Sequence, residues 1–197
     1  DDALRHSITK MSSLHLVSHE VYRKRVIQLG ESPKNVFNIG AMSIDTIENI
    51  KFLDRKTLEK KLNVSLKEKI FLITFHPVTL EKDTAQKQIK YLLKAISKFK
   101  ETTFIFTSPN ADMFSHEING KIKSFVKQNE NAYYIKSLGK VNYFSFLKIA
   151  SAVIGNSSSG IIEAPYFKVP VVNIGDRQKG RLRSPNIVDC KATERDI

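Results

Sequence analysis

Short β-rich runs alternate with amphipathic helical patterns along this chain, and that alternation limits the fold more than any other feature. The strand candidates are HLVSH (15–19), VFNIG (36–40), IFLITF (70–75), TTFIFTS (102–108), AYYIK (132–136), AVIGN (152–156) and PVVNIG (170–175). Between them, Ile89, Leu92, Leu93, Ile96 and Phe99 recur at helical spacing, and Ile118, Ile122, Phe125 and Val126 repeat the pattern. Parallel neighbours need crossover connections, which helices supply, so the predicted fold is α/β: a Rossmann-like parallel sheet with helices on both faces. The strand candidates are continuous apolar runs, as expected when both faces of a sheet are covered. Ser18, before EVYRKRVIQLG, is the expected N-cap of a helix, with Gly30 its expected C′ residue. DDALRHSITKMSS reads as a separate entering helix with Leu4, Ile8 and Met11 on one side, and the terminal ATERDI also reads as helix-like. No repeat, low-complexity tract or internal linker interrupts the pattern.

Composition excludes several classes. A chain of 197 residues with 41% hydrophobic content can bury a core and is not a disordered tail. Its apolar runs are too short to span a bilayer and its N-terminus lacks the layout of a signal peptide, so a cytoplasmic protein without membrane contact is expected. Cys190 is the one cysteine, which rules out an internal disulfide, and no HExxH or CxxC spacing suggests a metal. The net charge of +12 makes an anionic partner plausible. A nucleic-acid-binding module ranks lowest, because the lysines scatter over helix surfaces, as in KTLEKKLNVSLKEK, Trp is absent, and the phenylalanines fall mostly in strands or on apolar helix faces. The chain begins at Asp1 without an initiator Met, which suggests a piece of something longer.

In an open α/β sheet, ligands bind beyond the carboxyl ends of the strands. His76-Pro77, Ser108-Pro109-Asn110, Asn156 to Gly160 and Asp176-Arg177-Gln178 are the polar segments expected there. With AVIG as a strand and GIIEAPYF as the following helix, Ser157, Ser158 and Ser159 fall where backbone N–H groups lack intrahelical partners. They read either as a phosphate cradle, with small side chains and hydroxyl donors, or as an ordinary serine N-cap. Glu163 reads as a ribose-binding carboxylate or as a solvent-facing acid in the first turn. Arg177, Lys179 and Arg181 share one loop, and arginines there could neutralise a diphosphate. His76, held by Pro77 straight after a strand, is the one histidine placed at the ligand edge; His15, His19 and His116 read as structural or surface residues.

Taken in order, DDALRHSITKMSSLH, FHPVT, IGNSSSGIIEAP and IGDRQKGR resemble the hydrolysing UDP-N-acetylglucosamine 2-epimerases of sialic-acid biosynthesis. The resemblance covers nearly all of the chain but only the second half of a family member. It implies a two-domain glycosyltransferase-B architecture, divided here into an interdomain helix (1–14) and a C-terminal Rossmann-like UDP-binding domain (15–197), with the N-terminal domain absent. It implies anti elimination of UDP to a 2-acetamidoglucal and hydration to the 2-epimer, without cofactor or metal. It also implies a UDP-sugar substrate, the missing domain as partner, and a homo-oligomer for the full-length protein. By the same resemblance, Asp1 matches a catalytic carboxylate, His76 a histidine that assists the leaving group and His6 a substrate contact. Ser157 and Ser158, with Ser159 beside them, match diphosphate positions, Glu163 the ribose carboxylate and Arg177 a substrate-binding arginine, supported by Arg181. Leu138 sits where backbone would meet uracil. Two alternatives stay open: a relative acting on UDP-2,4-diacetamido-2,4,6-trideoxyglucose, and a glycosyltransferase-B UDP-sugar transferase.

Overall fold

The computed structural model describes residues 2–77, 84–109 and 115–197. In chain order the elements are α1 (Asp2–Met11), β1 (His15–Val17), α2 (Glu20–Gln28), β2 (Val36–Asn38), α3 (Met42–Glu48), α4 (Arg55–Leu62), β3 (Lys69–Thr74), α5 (Thr84–Ile96), β4 (Thr102–Thr107), α6 (Ser115–Gln128), β5 (Ala132–Ile135), α7 (Gly139–Ile149), β6 (Ala152–Gly155), α8 (Ser158–Ile162), β7 (Val171–Ile174) and β8 (Ile187–Cys190). They form two compact units, 1–50 and 51–197. The boundary between these compact units falls at 50/51. The reason lies in strand pairing: β1 and β2 form a two-stranded parallel sheet of their own, separate from the six later strands.

In the first unit, α2 carries the crossover between β1 and β2, which align His15 with Val36, Leu16 with Phe37 and Val17 with Asn38. Side chains alternate across a strand. His15 and Val36 are accordingly buried on one face, whereas Leu16 and Phe37, paired on the other, are 56% and 47% exposed. His19, rather than the expected Ser18, caps α2, its Nδ1 accepting from the Val21 N–H at 3.1 Å. The imidazole does what a serine hydroxyl usually does and moves the helix start by one residue. Gly30 follows the helix at φ +93°, as expected of a residue just beyond a helix end.

The second unit is a six-stranded, wholly parallel sheet of order β5-β4-β3-β6-β7-β8. Counted from β3, the order is third, second, first, fourth, fifth, sixth, the doubly wound Rossmann arrangement. Every residue of β4 is buried, as is most of β3, so the sheet is covered on both faces. Ile73, Phe75, Ile89, Leu92, Phe104, Phe106 and Ile118 pack into one core with α5 and α6. Burying each such side chain contributes roughly 1.5–3 kcal/mol. At the start of this unit Asp54 caps α4, accepting from the Thr57 N–H at 2.7 Å, and that hydrogen bonding lowers its carboxyl pKa. The terminal ATERDI is not helical: residues 191–197 form turns and bends after the edge strand β8, with Glu194 salt-bridged to Lys94 and Lys98.

Candidate functional site

Strand order reverses between β3 and β6, and in such sheets the crevice beyond the carboxyl ends at the reversal is the ligand position. There Thr74 aligns with Gly155. The two backbones run so close that a Cβ on Gly155 would lie 2.0 Å from the Thr74 carbonyl oxygen, and Gly155 takes φ +136°, open in practice to glycine alone. One residue on, the Asn156 N–H donates to that same Thr74 carbonyl at 3.2 Å.

The Asn156 side chain then reaches His76. The His76 N–H donates to Asn156 Oδ1 at 2.7 Å, and Asn156 Nδ2 donates to the His76 carbonyl at 2.8 Å. Arg177 Nη1 and Gln178 Nε2, from the loop after β7, donate to the Asn156 carbonyl at 3.2 Å and 2.8 Å. His76, Asn156 and Gln178 are buried, and Arg177 is half-buried. The fold thus brings His76, Arg177 and the start of the serine turn to one corner. The remainder of the loop after β3, including Val78 and Thr79, and Asn110 after β4 lie outside the described residues.

The serine turn is part helix cap and part open donor set. Ser157 is the N-cap of α8, its Oγ accepting from the Ser159 N–H at 3.3 Å. Ser159 Oγ accepts from Tyr143 Oη at 2.7 Å. Burial pushes the Tyr143 phenol up to about 12, against the lowering effect of that bond, and the Glu163 charge adds to the rise. Both serine hydroxyls keep a hydrogen to donate, and Ser158 makes no internal side-chain hydrogen bond among the described residues. Gly160 packs its backbone onto β7, where an added Cβ would meet Val171 Cγ1 at 3.0 Å.

The helix expected over GIIEAPYF is shorter than that. α8 ends at Ile162, and Ala164–Phe167 form a 3-10 turn. Pro165 has no N–H and its ring would clash with the carbonyl four residues back, which ends α-helical geometry there. A five-residue helix carries little macrodipole, so any anion at this turn is met by individual N–H and O–H donors. Glu163 is the half-buried C-cap of α8, its N–H bonded to the Ser159 carbonyl at 3.0 Å.

Other expected residues lie elsewhere. Leu138 is buried just ahead of α7, its carbonyl accepting from Asn142 Nδ2 at 2.7 Å. Arg181 lines a cavity of about 640 Å³ beyond β7 and β8, together with Asp176, Lys179, Arg183, Asp189 and Lys191; the serine turn is not part of that lining. His6 is an exposed residue of α1 in the first unit, and Asp1 lies outside the described residues. Tyr143 is the residue that sequence reasoning missed outright, whereas Asn156 and Gln178 stood among the polar segments at the strand ends with no role of their own. Only their place at strand ends or opposite the turn marks them, and that place is set by tertiary pairing.

A profile of the UDP-N-acetylglucosamine 2-epimerase family matches residues 1–197. The GDP/UDP-N,N'-diacetylbacillosamine 2-epimerase (hydrolyzing) of Campylobacter jejuni is 50% identical over 100% of this chain and 51% of its own length. Polysialic acid biosynthesis protein P7 of Escherichia coli is 47% identical over 96% of this chain and 48% of its own length. Among solved structures, the S. aureus MnaA-UDP co-structure superposes with a TM-score of 0.73 at 16% identity, covering 95% of this chain and 49% of that one. The chain spans about half the length of the curated relatives it matches. A sheet with this strand order, carrying the serine turn at its reversal point, together with a profile match along its whole length, makes this chain a member of the UDP-N-acetylglucosamine 2-epimerase family.

Proposed function

We propose that this chain is the UDP-holding half of a hydrolysing UDP-sugar 2-epimerase. The observation that carries the reading is the corner at the β3/β6 reversal, where His76, the serine turn and Arg177 gather about Asn156 in a family member. In this reading Ser157 and Ser158 donate to the diphosphate with Ser159 beside them, and Arg177 balances its charge. Glu163 takes the ribose hydroxyls, and the backbone at Leu138 meets uracil. His76 assists departure of UDP from C1 while a base removes the C2 proton, leaving a 2-acetamidoglucal; water then adds across the double bond to give the free 2-epimer. Asp1 is assigned the acid/base role and His6 a substrate contact. Arg181 is a supporting cation on the same loop.

The rest of the machinery is assigned to the other half of the longer polypeptide, which also covers the bare apolar side of the first unit. Leu16, Ile39 and Met42 line an open cavity of about 290 Å³ there, and a two-stranded parallel sheet is an unusual place to end a core. The expected cytoplasmic location and homo-oligomeric state belong to this proposal as well; no helix among the described residues is long and apolar enough to cross a membrane. Identity of 50% to a diacetylbacillosamine 2-epimerase favours a 2,4-diacetamido-trideoxy sugar as a second reading beside N-acetylglucosamine. The test is an acceptor-free assay of the full-length protein with both UDP-sugars. Release of UDP and a free 2-epimer is expected there, and no turnover from this chain alone. Turnover by the isolated chain, or UDP release only with an acceptor, contradicts the proposal.

A further inference from the structure

We infer that Asn156 is the positioning residue of this site: its side chain fixes His76 and its carbonyl fixes the Arg177 loop, so one buried residue sets three strand ends against each other. The inference rests on the nucleotide reading for its functional meaning, but its geometry stands apart from that reading. Strands β3 and β6 stay paired through Thr74 and Gly155. Beyond that point Asn156 replaces backbone pairing with its side chain, presenting an acceptor to the His76 N–H and a donor to the His76 carbonyl. A primary amide carries both groups in the spacing that a peptide unit offers to its neighbour strand. The pair thus extends the β3/β6 ladder by one residue into the crevice where the loops would otherwise diverge.

The backbone of the same residue does the second task. A carbonyl oxygen has two lone pairs, and donors from Arg177 and Gln178 approach this one. Asn156 is 1% exposed and Gln178 2%, so water does not compete for these bonds. Gln178 Oε1 has no partner among the described residues, so the Gln178 side chain is held by its single amide donor to Asn156. Every alternative at 156 loses part of the set. Leucine keeps the volume but removes both side-chain hydrogen bonds to the His76 backbone. Aspartate keeps the acceptor but turns a carboxylate oxygen toward the His76 carbonyl.

The experiment is a UDP titration of this chain, followed by affinity and by the NMR signals of the His76 ring, in wild type and in Asn156→Leu, Asn156→Asp, Gln178→Met and Ser158→Ala. UDP is expected to move the His76 signal in wild type. Asn156→Leu should bind UDP about tenfold more weakly, with a His76 signal that no longer follows the nucleotide, whereas Gln178→Met should lose only about threefold. Asn156→Asp should fall between wild type and Asn156→Leu. A residue that merely fills space predicts that Asn156→Leu behaves as wild type; a folded Asn156→Leu with wild-type affinity and a wild-type His76 response overturns the inference. Amide exchange at His76 in wild type decides the matter if that variant does not fold: protection like that of the β3 interior upholds it, and exchange at the rate of an open loop overturns it. Wild type that ignores UDP, or Ser158→Ala that binds as wild type does, rejects the nucleotide reading while leaving His76 exchange to judge the clamp.

Discussion

The two units of this chain follow the same strand-helix-strand grammar and reach opposite outcomes. In 51–197, six parallel strands are covered on both faces, and the side chains of Leu72, Ile89, Phe104 and Phe106 are 1% exposed or less. In 1–50, two parallel strands cover one face, and Leu4, Ile8, Met11, Leu14, Leu16, Phe37, Ile39 and Met42 are all exposed, at 47% to 82%. Parallel pairing requires burial of both faces, and only one unit achieves it within this chain. The larger unit therefore carries its own stability, while the smaller has a surface that the proposed longer protein completes.

The comparison breaks most sharply at Gly155. Gly155→Ala forces a methyl into the Thr74 carbonyl in a left-handed conformation, and a loss of about 3 kcal/mol or more is expected in urea unfolding. Gly175→Ala, at φ +71° with nothing nearby, should cost only about 1 kcal/mol. Next in size, Leu72→Ala should destabilise this chain by about 2–5 kcal/mol, whereas Leu16→Ala should stay within about 0.5 kcal/mol here and cost about 2 kcal/mol or more in the longer protein. Equal costs for Leu16→Ala in both contexts would erase the difference between the units.

Two smaller effects sharpen the account of the second unit. Tyr143→Phe removes the donor to Ser159 and should cost about 1 kcal/mol in the same unfolding measurement. In an ultraviolet titration Tyr143 should ionise only near pH 12; the stability tied to its neutral form is fully present below pH 10 and is lost as the pH rises from there through about 12. At the sheet edge, burial raises the Asp189 carboxyl pKa, but hydrogen bonds from Arg183 and Asn173 and the Arg183 charge outweigh it and hold the pKa below its ordinary value of 3.8. Its contribution is thus present above that ordinary value and lost as the pH falls through the lowered one. Asp189→Asn should flatten this acid limb slightly in thermal melts from pH 6 to pH 2.

Much of the fold was legible because its signals are local. The runs at 70–75 and 102–107 can hardly be anything but buried strands, and Ile89, Leu92 and Ile96 mark their helix by spacing alone. β8 escaped because it is a half-exposed edge strand with Asp189 in its middle. The division at 50/51 escaped because no Gly- or Pro-rich stretch marks it; sheet membership decides it, and that is a long-range property. For the site, serines after a strand and an arginine loop after another were visible. The bonds from Asn156 to His76 join residues eighty apart in sequence and leave no periodic trace.

The central claim is that nucleotide sits at the β3/β6 reversal. Titrating UDP into the isotope-labelled chain and mapping its amide shifts tests this most directly. The account predicts that the largest changes fall at His76, at 156–163 and at Arg177. Changes centred on the cavity between Lys179 and Lys191, or on the first fifty residues, would contradict it.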